Sequence, residues 1–192
     1  MRLSVSVDLS GALKKLDTAR KEVQRATVDA LNRTAEQART AAVRDITGTF
    51  NLQSGFVRDQ IEIRKAGFHN GRMEATLIVR KRNRSLNLIR FVEKSVTLKQ
   101  REKRKKAGTL GLYVKVKKGG KNTQLKGAFI GNSGRTVFQR VGKGRLPIEP
   151  LQAIGVGQAM VSDVGRAKLE AAVREAFPKN LRNQLKRRGV TQ

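Results

Sequence analysis

Cysteine is absent from this chain, which excludes disulfides, thiol catalysis and cysteine-based zinc sites. Tryptophan is also absent, and aromatic residues make up only 4 % of the sequence. The core must therefore be built from Ala, Val, Leu and Ile with a few Phe. No run of about 18 apolar residues occurs, so we expect no transmembrane helix and no membrane partner.

Acidic residues are scarce beside the basic ones. The chain has 42 Lys and Arg against 15 Asp and Glu, a formal net charge of +27. A charge of this size requires negative surroundings, such as nucleic acid, an anionic surface or acidic neighbouring subunits. Because so basic a chain repels itself, we expect it to be ordered within an assembly and not as a free monomer. The length predicts one domain over residues 1–192.

Patterns that would indicate catalysis or metal binding are missing. The single histidine, His69, lies in a predicted turn without a second histidine to share a metal. The best-placed carboxylates lie among arginines, where intrachain salt bridges are the simpler expectation, and they are Asp45, Asp59, Glu62 and Glu74. No glycine-rich phosphate loop follows a predicted strand. We therefore expect no enzymatic activity and no cofactor.

The strongest structural pattern is an apolar stripe near the N-terminus. Neither Pro nor Gly interrupts residues 12–47, and Gly48 then supplies a stop signal. The pattern predicts a helix of about 35 residues, roughly 50 Å long. The stripe recurs at three- and four-residue steps and consists of Leu13, Leu16, Ala19, Val23, Ala26, Ala30, Ala35, Ala38, Ala42 and Ile46.

Shorter elements account for most of the remaining chain. A short helix is predicted at 53–60, and strands are predicted at 3–8, 61–64, 73–80, 112–118, 128–130 and 136–141. Gly119-Gly120 has the composition of a two-residue hairpin turn, and the prolines in 146–151 favour an edge strand or connector. A basic helix capped by Asp163 is predicted over about 163–188, with Pro178 kinking or restarting it.

Together these elements predict an α+β fold. Its long N-terminal helix packs on a small, mostly antiparallel β-sheet, and a basic helix closes the chain. The stripe alanines have two interpretations, burial against the chain's own sheet or packing against neighbouring copies, and the helix is long enough for both. The candidate subunit-packing residues are Leu16, Val23, Ala30, Ala35, Ala38 and Ala42.

A low-complexity basic segment at about 94–111 is predicted to be an exposed, mobile loop. It either contacts the phosphates or carboxylates of a partner or is a solvated loop that contacts nothing. Without interleaved aromatics or a helix-turn-helix pattern, any nucleic-acid contact should be non-specific and salt-sensitive. The candidate contact residues are Lys99, Arg101, Lys103, Arg104, Lys105, Lys106, Lys117, Lys118 and Lys121.

Five pieces of sequence, in order between about residues 25 and 188, resemble a known family. The first is Ala30-Leu31-Asn32-Arg33-Thr34-Ala35 in the long helix. The others are Leu88-Ile89-Arg90-Phe91, Val114-Lys115-Val116-Lys117-Lys118-Gly119 leading to Gly127-Ala128-Phe129-Ile130, Val137-Phe138-Gln139-Arg140, and Gly144-Arg145-Leu146-Pro147-Ile148. No piece is specific alone, but in this order they resemble the minor tail protein Z family of lambda-like tailed phages.

The resemblance implies a structural virion protein without enzymatic activity. It implies tail completion at the head-proximal end of a phage tail, beside the tail terminator, tail tube or head–tail connector. The implied architecture is a ring of copies, expected to be a hexamer. From the charge we expect the basic surface of such a ring to face either acidic ring neighbours or, non-specifically, the genomic DNA in the lumen. The protein is then expected in the virion, and in the host cytoplasm during assembly. The basic 94–111 segment exceeds the family pattern, so the resemblance assigns it no role.

Two other interpretations remain open. A free-standing, non-specific DNA- or RNA-binding protein would explain the charge equally well, but it would not explain the ordered motifs. A phage-encoded nuclease is the weaker alternative, because clustered carboxylates and histidines are missing from the sequence.

Overall fold

The computed structural model of the chain describes residues 10–67, 73–80, 85–92, 103, 106, 111–142 and 144–190, with side chains from residue 17 onward. Its helices are α1 (Ser10–Thr49), α2 (Ser54–Gln60), a 3₁₀ helix (Leu88–Phe91), α3 (Val156–Val161) and α4 (Asp163–Arg187). Its strands are β1 (Ile61–Arg64), β2 (Thr76–Val79), β3 (Leu86–Asn87), β4 (Leu112–Val114), β5 (Thr123–Leu125), β6 (Ala128–Gly131), β7 (Thr136–Arg140), β8 (Ile148–Pro150) and β9 (Gln152–Ala153).

The predicted α+β class is confirmed, with several small sheets in place of one. The strand orders are β1-β2, β3-β9, β4-β5 and β6-β7-β8, and the last three sheets are antiparallel. The strand predicted at 3–8 and most of the 94–111 segment lie outside the described residues.

The chain divides into two compact units. The first holds the described residues of Met1–Arg39, Ile63–Ile78 and Lys168–Gln192, and the second holds those of Thr40–Glu62 and Val79–Ala167. Both α1 and α4 contribute residues to each unit. The assignment of one domain to residues 1–192 stays a prediction.

The long helix predicted from the apolar stripe is confirmed and is longer than expected. It has 40 residues and includes Gly48 in its last turn. Its threonines turn their hydroxyls back onto the helix, as Thr34 Oγ1 does to the Ala30 carbonyl at 2.7 Å and Thr47 Oγ1 to the Val43 carbonyl at 2.8 Å. Because these hydroxyls are satisfied within the helix, threonine can occupy positions beside the buried stripe.

The first unit has a core of small side chains. Its buried apolar residues are Ala26, Val28, Ala30, Ala35, Ala38 and Ala66. Because alanine buries little surface, polar contacts must help to fix the segments of this unit in place.

Two asparagines supply such contacts in the first unit. The Asn32 side chain accepts a hydrogen bond from the Ala66 amide at 2.7 Å and donates one to the Ala66 carbonyl at 3.2 Å. Asn180 of α4 is buried, and its Nδ2 donates to Thr34 Oγ1 at 3.0 Å and to Gln37 Oε1 at 2.9 Å. These amides fix the positions of Ala66 and of α4 against α1.

An arginine just beyond α4 completes the attachment of this helix. Arg188 Nη1 donates to Glu22 Oε2 and Arg188 Nη2 donates to Asp29 Oδ2, each at 2.7 Å. Hydrogen bonds from Arg188, and then from Arg25, hold the pKa of Glu22 below its ordinary value. The contacts with Asp29 and Glu22 in turn raise the pKa of Arg188.

The second unit has a core of larger side chains. Its fully buried residues are Val57, Ile61, Phe91 and Val137. Burial of a side chain of this size stabilises a fold by about 1.5–3 kcal/mol. Leu88 and Phe91 are the buried members of the 3₁₀ helix, so the apolar piece at 88–91 belongs to this core.

Asn87 connects the 3₁₀ helix to the three-stranded sheet of the second unit. Its Oδ1 accepts hydrogen bonds from the Ile89 amide at 3.0 Å and from the Val137 amide at 2.8 Å. A backbone hydrogen bond also holds the 3₁₀ helix, since the Leu88 amide donates to the Leu151 carbonyl at 3.0 Å. The position of residues 88–91 is therefore fixed from both sides.

The β6–β7 hairpin confirms the strands predicted around 128–130 and 136–141. Its connection uses left-handed backbone at Asn132, Ser133 and Gly134, with φ values of 50°, 50° and 81°. Phe129 and Phe138 lie opposite each other across the strands, with ring centroids 6.0 Å apart. The strand β8 pairs with β7 at the edge of the sheet, as the prolines of 146–151 predicted.

Two local predictions are wrong, and a third is narrowed. Gly119-Gly120 is not a two-residue hairpin turn, because β4 and β5 pair Val114 with Thr123 and a longer connection separates them. The α4 helix continues through Pro178 without a restart, and a kink at this residue stays a prediction. The cap of α4 is Ser162 and not Asp163, since Ser162 Oγ accepts from the Gly165 amide at 3.3 Å.

Sequence patterns also did not predict five elements, namely β3, the 3₁₀ helix, α3, β5 and β9. The corner between α3 and α4 is tight, because a Cβ on Gly165 would lie 2.5 Å from the Ala159 carbonyl oxygen. Only glycine permits this close approach of the two backbones. The strand predicted at 73–80 is shorter than expected and covers only β2.

Replacing Asn180 by alanine should destabilise the protein. The change removes the hydrogen bonds from Asn180 to Thr34 Oγ1 and Gln37 Oε1, which costs about 1–3 kcal/mol in the free energy of unfolding. Urea unfolding measures this loss. Asn183→Ala is the matched control, because Asn183 is exposed on the same helix, and equal effects of the two variants would contradict the assigned role of Asn180.

Stability should decrease when acid protonates Glu22. Because its folded pKa is lowered, Glu22 stabilises the fold above its ordinary value of 4.5, and this contribution is lost as pH falls through the folded pKa. Glu22→Gln should therefore reduce the fall in thermal stability between neutral and acid pH. Glu149→Gln is the control, since Glu149 is exposed on the edge strand β8. An unchanged acid profile in Glu22→Gln would refute the assignment.

Candidate functional site

Most of the predicted basic contact residues of the 94–111 segment cannot be placed. Lys99, Arg101, Arg104 and Lys105 lie outside the described residues, whereas Lys103 and Lys106 are described and exposed. The predicted contact of this segment with a partner stays a prediction.

The other three predicted contact residues lie together on one turn. Lys117, Lys118 and Lys121 are exposed, and none forms an ion pair with a described carboxylate. The backbone of this turn is held in place, because the Lys118 amide donates to the Thr49 carbonyl at 3.0 Å and the Gly120 amide to the Lys117 carbonyl at 3.0 Å. The basic turn, residues 117–121, therefore presents three free ammonium groups on a fixed backbone.

The candidate subunit-packing stripe is largely internal. Ala30, Ala35, Ala38 and Ala42 are each at most 7 % exposed, which agrees with burial within the chain's own core. Val23 is 40 % exposed and remains available to a neighbouring copy. The side chain of Leu16 lies outside the described part of the chain. Packing of the stripe against another subunit stays a prediction.

The first unit contains an apolar groove of about 680 Å³. Its apolar lining comes from α1, α4, β2 and the residue before β2. It consists of Leu31, Ala35, Ala38, Ala75, Leu77, Leu169, Val173, Phe177 and Pro178. Thr34, Glu170 and Arg174 add polar groups to its wall. A groove with this lining offers a place for apolar side chains.

The second unit contains a further groove that the sequence patterns missed. Two adjoining cavities, of about 870 and about 490 Å³, share Phe56, Arg90 and Val92. The Arg90 guanidinium carbon lies 4.4 Å from the centre of the Phe56 ring. We call these cavities the Arg90 groove. The only sequence signal for it was a charged residue within the otherwise apolar piece Leu88-Ile89-Arg90-Phe91.

Three of the four carboxylates considered as catalytic candidates have interaction partners, and the fourth, Asp59, is exposed on α2. Glu62 pairs with Arg80 at 3.3 Å, and Glu74 accepts a hydrogen bond from Thr76 Oγ1 at 3.3 Å. Asp45 is also engaged in an interaction. Within the described ranges, no cluster of three or more His, Asp or Glu side chains could hold a metal ion. His69 lies outside those ranges.

None of the described helices is both long enough and apolar enough to span a bilayer. The prominent features of the described surface are the basic turn and the two grooves. These features belong to an α+β protein.

The chain matches the family described as Prophage minor tail protein Z (GPZ) over residues 8–190, and it belongs to that family. No curated protein and no solved structure gives a significant match. The resemblance derived from the ordered sequence pieces is thereby confirmed. The chain is a bacteriophage minor tail protein with a structural role in the virion tail.

Replacing Lys117, Lys118 and Lys121 by glutamate should weaken the binding of duplex DNA to the purified protein. The slope of log affinity against log salt should decrease by roughly 0.9 for each lysine that contacts a phosphate. Fluorescence anisotropy over a series of salt concentrations measures both quantities.

The matched control reverses three exposed cations on α4. These are Arg182, Lys186 and Arg187. The control changes the net charge equally, so an equal loss in both triple variants would show that the basic turn is not a contact site.

Proposed function

We propose that this minor tail protein completes the head-proximal end of the phage tail. Copies form a ring, expected to be a hexamer, that docks beside the tail terminator, the tail tube or the head–tail connector. The ring lines the passage through which genomic DNA moves. Membership in the minor tail protein Z family is the observation that carries this proposal.

The distribution of charge supports a place next to DNA or acidic subunits. The net charge is +27, and the exposed lysines of the basic turn lack described carboxylate partners. A ring repeats these groups around its lumen, so weak attraction per subunit becomes large in sum. Flexible lysines attract DNA without holding it in one register, which is compatible with its passage during ejection.

Contact between copies would use apolar surface that remains exposed in the single chain. Val23 on α1 and Val164 on α4 are 40 % and 65 % exposed. Exposed apolar side chains are features that protein assemblies commonly cover.

Membership in a family of structural tail proteins favours a function without catalytic activity. The competing function is a free-standing, non-specific nucleic-acid-binding protein. The positive charge is compatible with both functions, whereas the family membership favours the tail component.

Phage particles made without this protein should carry tails that are defective at the head-proximal end. Negative-stain imaging should show fewer tails joined to heads, and the number of infectious units per particle should fall. Addition of the purified protein should restore both. Particles that are unchanged without the protein would refute the completion role and favour the free-standing binder.

A charge-reversal variant tests the proposed DNA passage separately. It replaces four cations of the basic segment, Lys99, Lys103, Arg104 and Lys105, by glutamate. Slower or incomplete DNA ejection from assembled particles is the expected result. Particles that assemble and eject DNA normally would remove the role of this segment in the lumen without affecting the completion role.

A further inference from the structure

The Arg90 groove of the second unit combines an apolar lining with cations. Its apolar members include Leu86, Ile89, Val92 and Ile130. The basic side chains on its wall are Arg90, Arg135 and Lys118, and none of the described carboxylates lines either of its two cavities. The groove is therefore apolar and positive at once, a combination that selects partners bearing both apolar and acidic groups.

The cations of the groove have free hydrogen-bonding capacity. Arg90, Arg135 and Lys118 are exposed, and no side-chain ion pair joins them to a described residue. Arg90 is orientated by its contact with the face of Phe56 at 4.4 Å, which leaves the guanidinium N–H groups at the ring edge available to a carboxylate. The groove thus presents a positioned guanidinium.

The wall of the groove is rigid on one side and open on the other. Asn87 fixes the 3₁₀ helix through its hydrogen bonds with the Ile89 and Val137 amides. On the other side, Ile130 lies on β6, an edge strand whose described partner is β7 alone. An extended polypeptide could lie along this edge without rearrangement of the core.

The lining favours an acidic polypeptide over nucleic acid. Binding of single-stranded nucleic acid uses exposed aromatic faces for base stacking, and here the face of Phe56 is covered by Arg90. Duplex DNA contacts protruding cations and has no apolar side chains to fill the space beside Ile89 and Ile130. We infer that the Arg90 groove binds an extended acidic segment of a partner protein, with carboxylates at Arg90, Arg135 and Lys118 and apolar side chains between them.

This inference goes beyond the proposed position of the protein in the tail. Its test uses purified full-length protein and is independent of particle assembly. The probe is a fluorescent peptide of alternating glutamate and leucine, whose binding is followed by anisotropy at physiological salt, where the screening length of about 8 Å suppresses long-range attraction. A peptide of alternating glutamate and serine has the same charge and tests the apolar lining.

Arg135→Glu should raise the Kd of the glutamate–leucine peptide about tenfold, the effect of losing one close charge contact. Lys126→Glu is the matched control, because Lys126 is exposed beside β6 and does not line the groove. Ile130→Ala should weaken binding of the leucine peptide and leave the weaker binding of the serine peptide unchanged. All three positions are exposed, so these variants should keep the fold, which circular dichroism verifies.

Three results would overturn the inference. Equal losses of peptide affinity in Arg135→Glu and Lys126→Glu would show that the binding depends only on the overall charge. Equal affinity for the leucine and serine peptides would exclude a role for the apolar lining. Displacement of the peptide by a duplex oligonucleotide of matched charge, with the same sensitivity to Arg135→Glu, would make the groove a nucleic-acid site.

Discussion

Hydrogen bonds from asparagine side chains connect the distant segments of this protein. Asn32 fixes Ala66, Asn180 attaches α4 to α1, and Asn87 joins the 3₁₀ helix to the three-stranded sheet. An amide offers a donor and an acceptor without adding charge, so it can be partly buried at a modest cost once it is satisfied. In a chain with a net charge of +27, such neutral contacts order the segments without adding to the repulsion.

The shortage of carboxylates shapes the rest of the structure. Several of them form local pairs or long-range contacts, as Glu22 and Asp29 do with Arg188, and most of the described cations remain exposed. The first unit, with its alanine core, depends on these polar contacts more than the second, whose core includes Phe91 and Ile61. Polar contacts thus contribute more to the stability of the first unit, and apolar packing contributes more to that of the second.

The cations without carboxylate partners are also the groups through which a minor tail protein would contact DNA or acidic neighbours. A basic turn on a fixed backbone can face DNA or acidic neighbours without loss of internal ion pairs, because it has none among the described residues. The Arg90 groove differs from it by its apolar lining, which makes it selective for a partner with apolar groups. The positive charge would thus attract acidic partners over a distance, and the apolar lining of the groove would discriminate among them.

The α+β class, the long helix α1 and the strands β6 and β7 could be predicted from sequence, because apolar periodicity and the absence of Pro and Gly act locally. Family membership could be predicted from five ordered pieces, and the basic character from composition. Sequence did not reveal the roles of Asn180 or Arg90. Asn180 meets Thr34 across 146 residues, and Arg90 meets Phe56 only after both segments have folded. Such contacts have no local signature, so only the tertiary structure decided which polar residues join segments and which remain available to partners.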